Sequence, residues 1–165
     1  MKFLNVLLLV ISINVLSVDL NTARNAYKEA AQDTTKIEAF SKLLSNISKK
    51  DDIALVAYKG ASITLLAKRE KKIKDKKNRF VEGVSYVEYA IEKAPNNIEI
   101  RFVRLGIQEN TPKILKYKDN IEEDKLFLLK QFKDISSSNL RHHIKDYILQ
   151  SKAFSDEEKL VISNQ

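Results

Sequence analysis

The sequence of 165 residues contains no cysteine and no tryptophan, and only three glycines and two prolines. Without cysteine there is no disulfide, no thiol nucleophile and no cysteine-based metal site, so the core alone must hold the fold. The glycines, at Gly60, Gly83 and Gly106, are too far apart for the glycine-rich loops that cradle phosphate groups. The composition therefore excludes disulfide scaffolds and the common nucleotide-binding motifs, and we expect no cofactor.

The N-terminal stretch MKFLNVLLLVISINVLSVDL has the layout of a secretory signal. A single Lys2 precedes an apolar run over 3–16, and small residues flank a cleavage point near Ser17. The run is shorter than the roughly 20 apolar residues of a membrane-spanning helix, although an uncleaved anchor is the alternative. We therefore expect a signal peptide at 1–17, a single domain at 18–165, and export to the periplasm or the extracellular space. A Gram-negative periplasm is the favoured compartment.

Positive charge is concentrated in one short block, KREKKIKDKKNR, at 68–79 (the basic block). Residues 18–165 carry 28 Lys+Arg and 22 Asp+Glu, and the basic block holds eight of the former and two of the latter. The rest of the chain after residue 17 is therefore electrically neutral. The eight basic positions are Lys68, Arg69, Lys71, Lys72, Lys74, Lys76, Lys77 and Arg79.

A dense block of like charge stays solvated and attracts anionic partners. Nucleic acid is not expected as a partner of an exported protein, which leaves an anionic membrane surface, a glycolipid or an acidic protein. Each lysine or arginine near an anionic bilayer contributes about 1 kcal/mol, enough together for weak, salt-sensitive attachment. The alternative is that the block is only a solvated extension.

Apolar residues recur every three or four positions along most of the chain, which predicts an all-α fold of about seven to eight helices. Asp51 or Asp52 should cap the third helix, Asn78 the fourth, and Ser155 with Glu158 has capping-box spacing. No linker divides the chain, so one helical domain is expected. The predicted helices cover about 20–31, 35–49, 53–70, 79–94, 97–109, 120–134 and 140–151, with a short helix after 155.

Residues 80–110 resemble a tetratricopeptide repeat, in which small and aromatic residues precede a terminal proline and a second aromatic–leucine–glycine set follows. The resemblance implies antiparallel helical hairpins stacked in a right-handed array. The basic block then lengthens one hairpin by about three helical turns. The matching residues are Gly83, Val87 (where the family has an aromatic), Ala90, Pro95, Phe102, Leu105 and Gly106.

In that family the first helix of each hairpin lines a concave binding surface. The resemblance therefore implies that Ile100, Val103, Ile107 and Asn110 contact a protein or peptide partner. The alternative is that later helices cover these positions as ordinary core. The leading hypothesis is an exported, non-catalytic scaffold in the cell envelope, and the second is an electrostatic tether to anionic lipid or glycolipid through 68–79. The sequence does not indicate an oligomeric state.

The sequence shows no set of residues with the spacing that a catalytic site requires. His142 and His143 are adjacent and point about 100° apart on a helix, so both cannot face one metal ion. Glu88 and Glu92 lie one turn apart and are interpreted as solvated. No nucleophile–base pair is visible, so we expect neither an enzyme nor a metal site. A small hydrolase or metal protein that uses His142 or His143 is the third hypothesis.

Overall fold

The computed structural model describes residues 18–165, and the predicted signal peptide lies outside these residues. Residues 18–165 form eight α-helices and no β-strand, which confirms the all-α prediction. Short 3-10 turns cover 34–36, 67–69, 113–115 and 132–134. The helices are α1 (Leu20–Gln32), α2 (Ile37–Leu43), α3 (Ile53–Leu66), α4 (Ile73–Lys93), α5 (Ile98–Asn110), α6 (Ile121–Gln131), α7 (Ser138–Gln150) and α8 (Asp156–Ser163).

The centre of the domain is an antiparallel hairpin of α3 and α4. Eleven of the fourteen residues of α3 are buried, as its apolar sequence predicted. The two helices cross where Gly60 and Gly83 face each other. A Cβ atom placed on either glycine would lie 2.6 Å from the carbonyl oxygen of the other. The absence of both side chains therefore allows the two backbones to touch.

An aromatic cluster joins this hairpin to the helices around it. The ring of Tyr27 in α1 lies 5.9 Å from Phe40 in α2, 5.5 Å from Tyr58 in α3 and 6.0 Å from Phe102 in α5, measured between centroids. Phe102 in turn packs edge-on against Tyr147 of α7 at 5.1 Å. Five helices thus share one apolar core, and α6 packs on α5 while α8 packs on α7.

Several predicted helix ends are confirmed by side-chain caps. The carboxylate of Asp52 accepts hydrogen bonds from the first backbone N–H groups of α3. Ser155 and Glu158 form the predicted capping box at the start of α8, each side chain bonding the backbone N–H of the other. Because these caps satisfy donors that the helix itself leaves free, they fix the start of each helix.

Two predicted boundaries are wrong. The fourth helix begins at Ile73 rather than at 79, so Asn78 lies within α4 and caps nothing. Lysine is a good helix former and Asp75 complements the positive helix start, so seven of the twelve residues of the basic block lie in α4. The second helix ends at Leu43 instead of 49, and Ser48 and Asp51 form a hydrogen-bonded turn just after it.

In the part of the chain that the structure describes, no helix combines the length and the apolar character needed to cross a membrane.

Candidate functional site

A groove of about 910 Å³ opens between α1, the end of α3, the first half of α4, the end of α5 and the segment 111–117. We call it the lysine-rimmed groove. Its walls are apolar and include Leu65, Phe80, Val84, Ile107 and Leu115. A concave, mainly apolar surface of this size is typical of a ligand-binding site.

Every charged residue that lines the groove is a lysine. The four are Lys68, Lys76, Lys77 and Lys116, and no aspartate or glutamate occurs among the described residues that line it. Long lysine stems can lie along apolar surface while the ammonium groups stay in water. The groove is therefore apolar inside and cationic around its edge.

Two isoleucines project from the mouth of the groove into solvent. Ile73 at the start of α4 is 84% exposed, and Ile114 in the segment 111–117 is 87% exposed. Both stand in lysine-rich sequence, KKIK and PKILK. Single exposed apolar residues are common, but two beside one apolar groove form a patch of the kind that marks an interaction surface.

Tyr117 holds the wall formed by 111–117 in place. Its ring packs edge-on against Phe80 at 5.9 Å, and its hydroxyl donates a hydrogen bond to Glu88. Burial and the neighbouring Glu88 carboxylate raise the pKa of Tyr117. Lys116 has a positive φ of 48°, which turns the chain back towards α4. The side chain of Glu88 is 41% exposed, as its interpretation as a solvated residue predicted, and it also anchors the groove wall through Tyr117.

A buried network of charged side chains fixes α6 against α5. Asp124 is fully buried and accepts hydrogen bonds from Arg101 at 2.9 Å, from Arg104 at 2.7 Å and from Gln108 at 3.1 Å. Arg104 also faces Glu88 at 3.4 Å, which links this network to the groove wall. Burial lowers the pKa of Arg104, but the hydrogen bonds and charge of Asp124 outweigh it and the net shift is upward.

A second buried pair ties α1 to α5. The guanidinium of Arg24 forms two hydrogen bonds to the carboxylate of Glu99, at 2.6 and 2.7 Å. The hydroxyl of Tyr58 donates to the same carboxylate at 3.0 Å. In both networks every charged side chain has a partner of opposite sign. We therefore interpret the two networks as structural contacts between helices and not as a reactive site.

The basic block divides into paired arginines and unpaired lysines. Arg69 pairs with Glu38 at 3.0 Å, and Arg79 pairs with Glu70. Within residues 18–165 no ion pair involves the six lysines of the block, which are all exposed. Of these, Lys68, Lys76 and Lys77 edge the groove, whereas Lys71, Lys72 and Lys74 lie on the surface beside Ile73.

The predicted partner-binding face of α5 is split in two. Ile100 and Val103 are completely buried in the domain's own core, so the alternative interpretation holds for them. Ile107, only 8% exposed, belongs to the same core but also lines the lysine-rimmed groove, together with the exposed Asn110. Residues far apart in the sequence, on α1, α3 and α4, complete that surface.

The two histidines do not form a site together. The side chain of His142 is 77% exposed, whereas His143 is buried against Phe102 with ring centroids 5.3 Å apart. Burial and the nearby Lys28 and Arg24 lower the pKa of His143 to about 4. No group of three or more His, Asp or Glu among residues 18–165 is arranged to hold a metal ion.

Sequence reasoning missed Ile73, Ile114 and Lys116. The available signal was an isoleucine standing alone within each of two lysine-rich stretches. The other apolar residues of the groove could not be identified from the sequence, because they come together only when four helices pack.

No protein family, curated protein or solved structure is detectably similar to this chain.

Proposed function

We propose that this protein is an exported, non-catalytic binding protein that docks on anionic lipid through the lysine-rimmed groove and the basic block. The observation that carries the proposal is the mouth of the groove, where two projecting isoleucines stand among lysines above an apolar surface. No aspartate or glutamate among residues 18–165 lines that surface. At a bilayer surface, isoleucine can enter the acyl layer while lysine reaches the phosphates.

The expected strength follows from these parts. Four rim lysines at about 1 kcal/mol each contribute roughly 4 kcal/mol. Burying two exposed isoleucines adds about 4 kcal/mol more. Because the entropy lost on association has to be subtracted from this total near 8 kcal/mol, the dissociation constant should be micromolar or weaker. Because half of this total is electrostatic, binding should weaken steeply as salt screens the charges.

The test is co-sedimentation of residues 18–165 with vesicles of phosphatidylglycerol or phosphatidylcholine, at low and high salt. We expect binding to phosphatidylglycerol only, weakened by salt and by glutamine at all five of Lys71, Lys72, Lys74, Lys76 and Lys77. The double variant Ile73→Ser/Ile114→Ser should also bind weakly.

The matched control is Leu160→Ser/Val161→Ser, which removes two exposed apolar residues of α8 outside the groove. It should bind like the parent protein. Equal binding to phosphatidylglycerol and phosphatidylcholine would contradict the proposal. So would an equal loss of binding in the two double variants.

A second candidate function is a scaffold that holds a protein or peptide partner. The observation that favours it is the position of Ile107 and Asn110, two of the four predicted contact residues, on the wall of the same groove. Co-purification of the tagged protein from its own cell envelope distinguishes the candidates. A stoichiometric protein partner that survives high salt supports the scaffold, and recovery of anionic lipid alone supports lipid docking.

We also propose that α3, α4 and α5 pack in the manner of a tetratricopeptide hairpin and the helix that follows it. Support comes from the glycine contact between α3 and α4 and from Pro95, which follows the last turn of α4. An experimental structure in which α5 and α6 repeat the packing of α3 and α4 would establish the array.

Export to the periplasm or the extracellular space remains part of the proposal. The mass of the protein recovered from its native cells tests it directly, because cleavage near Ser17 removes the first 17 residues. A full-length mass in the cytosolic fraction would contradict export.

A further inference from the structure

We infer that the lysine-rimmed groove takes up the acyl chain of a single-chain anionic amphiphile, a molecule with one hydrocarbon tail and a carboxylate or phosphate head. The inference rests on the proposed function and goes one step beyond it. Docking alone needs only the mouth of the groove, whereas uptake of a chain uses its interior.

The groove deepens from an exposed mouth to a buried floor. Ile73 and Ile114 at the mouth are more than 80% exposed, whereas Tyr27 at the floor is 8% exposed. Between them lie apolar walls, among them Phe80 and Val84. The volume of about 910 Å³ lies within the usual range of small-molecule sites, roughly 300 to 1,000 Å³.

The floor lies where α1 meets α5, and Tyr27 and Gly106 line it. A Cβ atom at Gly106 would lie 2.8 Å from the hydroxyl oxygen of Tyr27, and its next neighbours are 4.0 Å away. The backbone at Gly106 and the hydroxyl of Tyr27 therefore close the inner end of the groove. The space that a ligand could fill is the volume of about 910 Å³ between this floor and the mouth.

Charge complementarity selects the head group. All charged lining residues are lysines, at the edge, and none of the described residues places a negative charge inside. A tail in the groove would put an anionic head next to Lys68, Lys76, Lys77 and Lys116. A neutral or zwitterionic head would gain less from the same lysines.

Binding of soluble probes by residues 18–165 tests the inference. We would measure myristate, 14:0 lysophosphatidylglycerol and 14:0 lysophosphatidylcholine below their aggregation limits, by calorimetry and native mass spectrometry. Glycerol 3-phosphate is the head-group probe without a tail. We expect one molecule bound per chain for the two anionic amphiphiles, weaker binding of lysophosphatidylcholine and none of glycerol 3-phosphate.

The two anionic probes separate the possible head groups. Tighter binding of myristate points to a carboxylate ligand, and tighter binding of lysophosphatidylglycerol to a phosphate ligand. A series of fatty acids should tighten by about fourfold for each added methylene until the groove is full.

A pair of neighbouring substitutions separates the interior from the surface. Val84→Trp fills the groove, whereas Ser85→Trp adds the same ring on the exposed side of the same helix. We expect at least tenfold weaker myristate binding in the first variant and no change in the second, with vesicle docking retained in both. Ala31→Trp, at an exposed position that lines the groove, provides a second filling variant if Val84→Trp fails to fold.

The outcomes are distinguishable. Vesicle docking without binding of either anionic probe would overturn this inference and leave the proposed function standing, whereas loss of both would overturn both. Myristate binding that is unchanged in the groove-filling variants would also overturn it. A third outcome is that neither anionic probe binds, whereas a designed acidic amphipathic helix does bind and its binding is weakened by Val84→Trp. That outcome would overturn the inference and assign the groove to a protein partner.

Discussion

Replacing Gly83 by alanine should destabilise the protein, although alanine is the better helix former. Gly83 lies within α4, where the change to alanine alone favours folding by about 1 kcal/mol. The added Cβ, however, would lie 2.6 Å from the carbonyl oxygen of Gly60 and 2.7 Å from the backbone nitrogen of Thr64. Backbone atoms of a buried helix cannot move aside as a side-chain tip can.

The magnitude follows from the separation that the two helices must undergo. Ordinary van der Waals contact begins at 3.4 Å, so α3 and α4 must move apart by about 0.8 Å. A gap of about this size removes a quarter to a half of the attraction between each facing atom pair. Overpacking of this kind costs about 3 kcal/mol, which leaves a net loss of about 2 kcal/mol after the gain in helix propensity.

Urea unfolding of residues 18–165, followed by circular dichroism, measures the change. Gly60→Ala should show a similar loss, because its Cβ would meet the carbonyl oxygen of Gly83 at 2.6 Å. Gly106→Ala is the matched control, since its only close neighbour is the hydroxyl tip of Tyr27 at 2.8 Å. Its stability should change by less than about 1 kcal/mol. A Gly83→Ala protein as stable as the parent would refute the backbone contact between α3 and α4.

Further predictions concern the buried charges and the core of α5. Asp124→Asn should cost about 3 kcal/mol or more, because it removes the buried carboxylate that Arg101 and Arg104 share and leaves them only the half-exposed carboxylates of Glu123 and Glu88. Glu122→Gln on the exposed side of α6 should cost less than about 0.5 kcal/mol. The folded-state pKa of His143, about 4, lies below the unfolded value of about 6.5, so stability should be full above pH 6.5 and fall by about 3 kcal/mol as the pH drops to 4. Comparing the pH profiles of His143→Phe and of the parent isolates that loss, which should be absent from the variant. Val103→Lys should prevent folding, and a folded, stable variant would contradict the assignment of Val103 to the core.

The sequence was sufficient for the class of fold and for the central helix because both depend on local patterns. Helical spacing persists through most of the chain, α3 is apolar around most of its circumference, and Asp52 and Ser155 stand where helices begin. The start of α4 was misjudged because Asn78 was interpreted as its cap, which left the lysines before it outside the predicted helix. Lysine favours helix as well as solvent, and the sequence does not show which preference prevails.

The site was predicted only in part because its residues are distant in the chain. Lys68, Lys76 and Lys77 were singled out by charge alone, and Ile107 and Asn110 by the resemblance to a repeat. Nothing local connects them to α1 or to the segment 111–117. The buried pair of Arg24 and Glu99 spans 75 positions and was missed for the same reason. From sequence alone a charged residue is predicted to lie on the surface unless a residue of opposite charge is known to pair with it. Which residues pair depends on how the helices pack.

The position of Ile73 at a membrane surface is the most direct test of the account. Because the chain has no tryptophan, Ile73→Trp introduces a single fluorescent reporter at the mouth of the groove, and Leu160→Trp places the same reporter on α8 as a control. With phosphatidylglycerol vesicles at low salt, the account predicts a blue shift of the emission for Ile73→Trp and none for Leu160→Trp. With phosphatidylcholine neither should shift. An unchanged spectrum for Ile73→Trp, or an equal shift of both reporters, would contradict lipid docking through the lysine-rimmed groove.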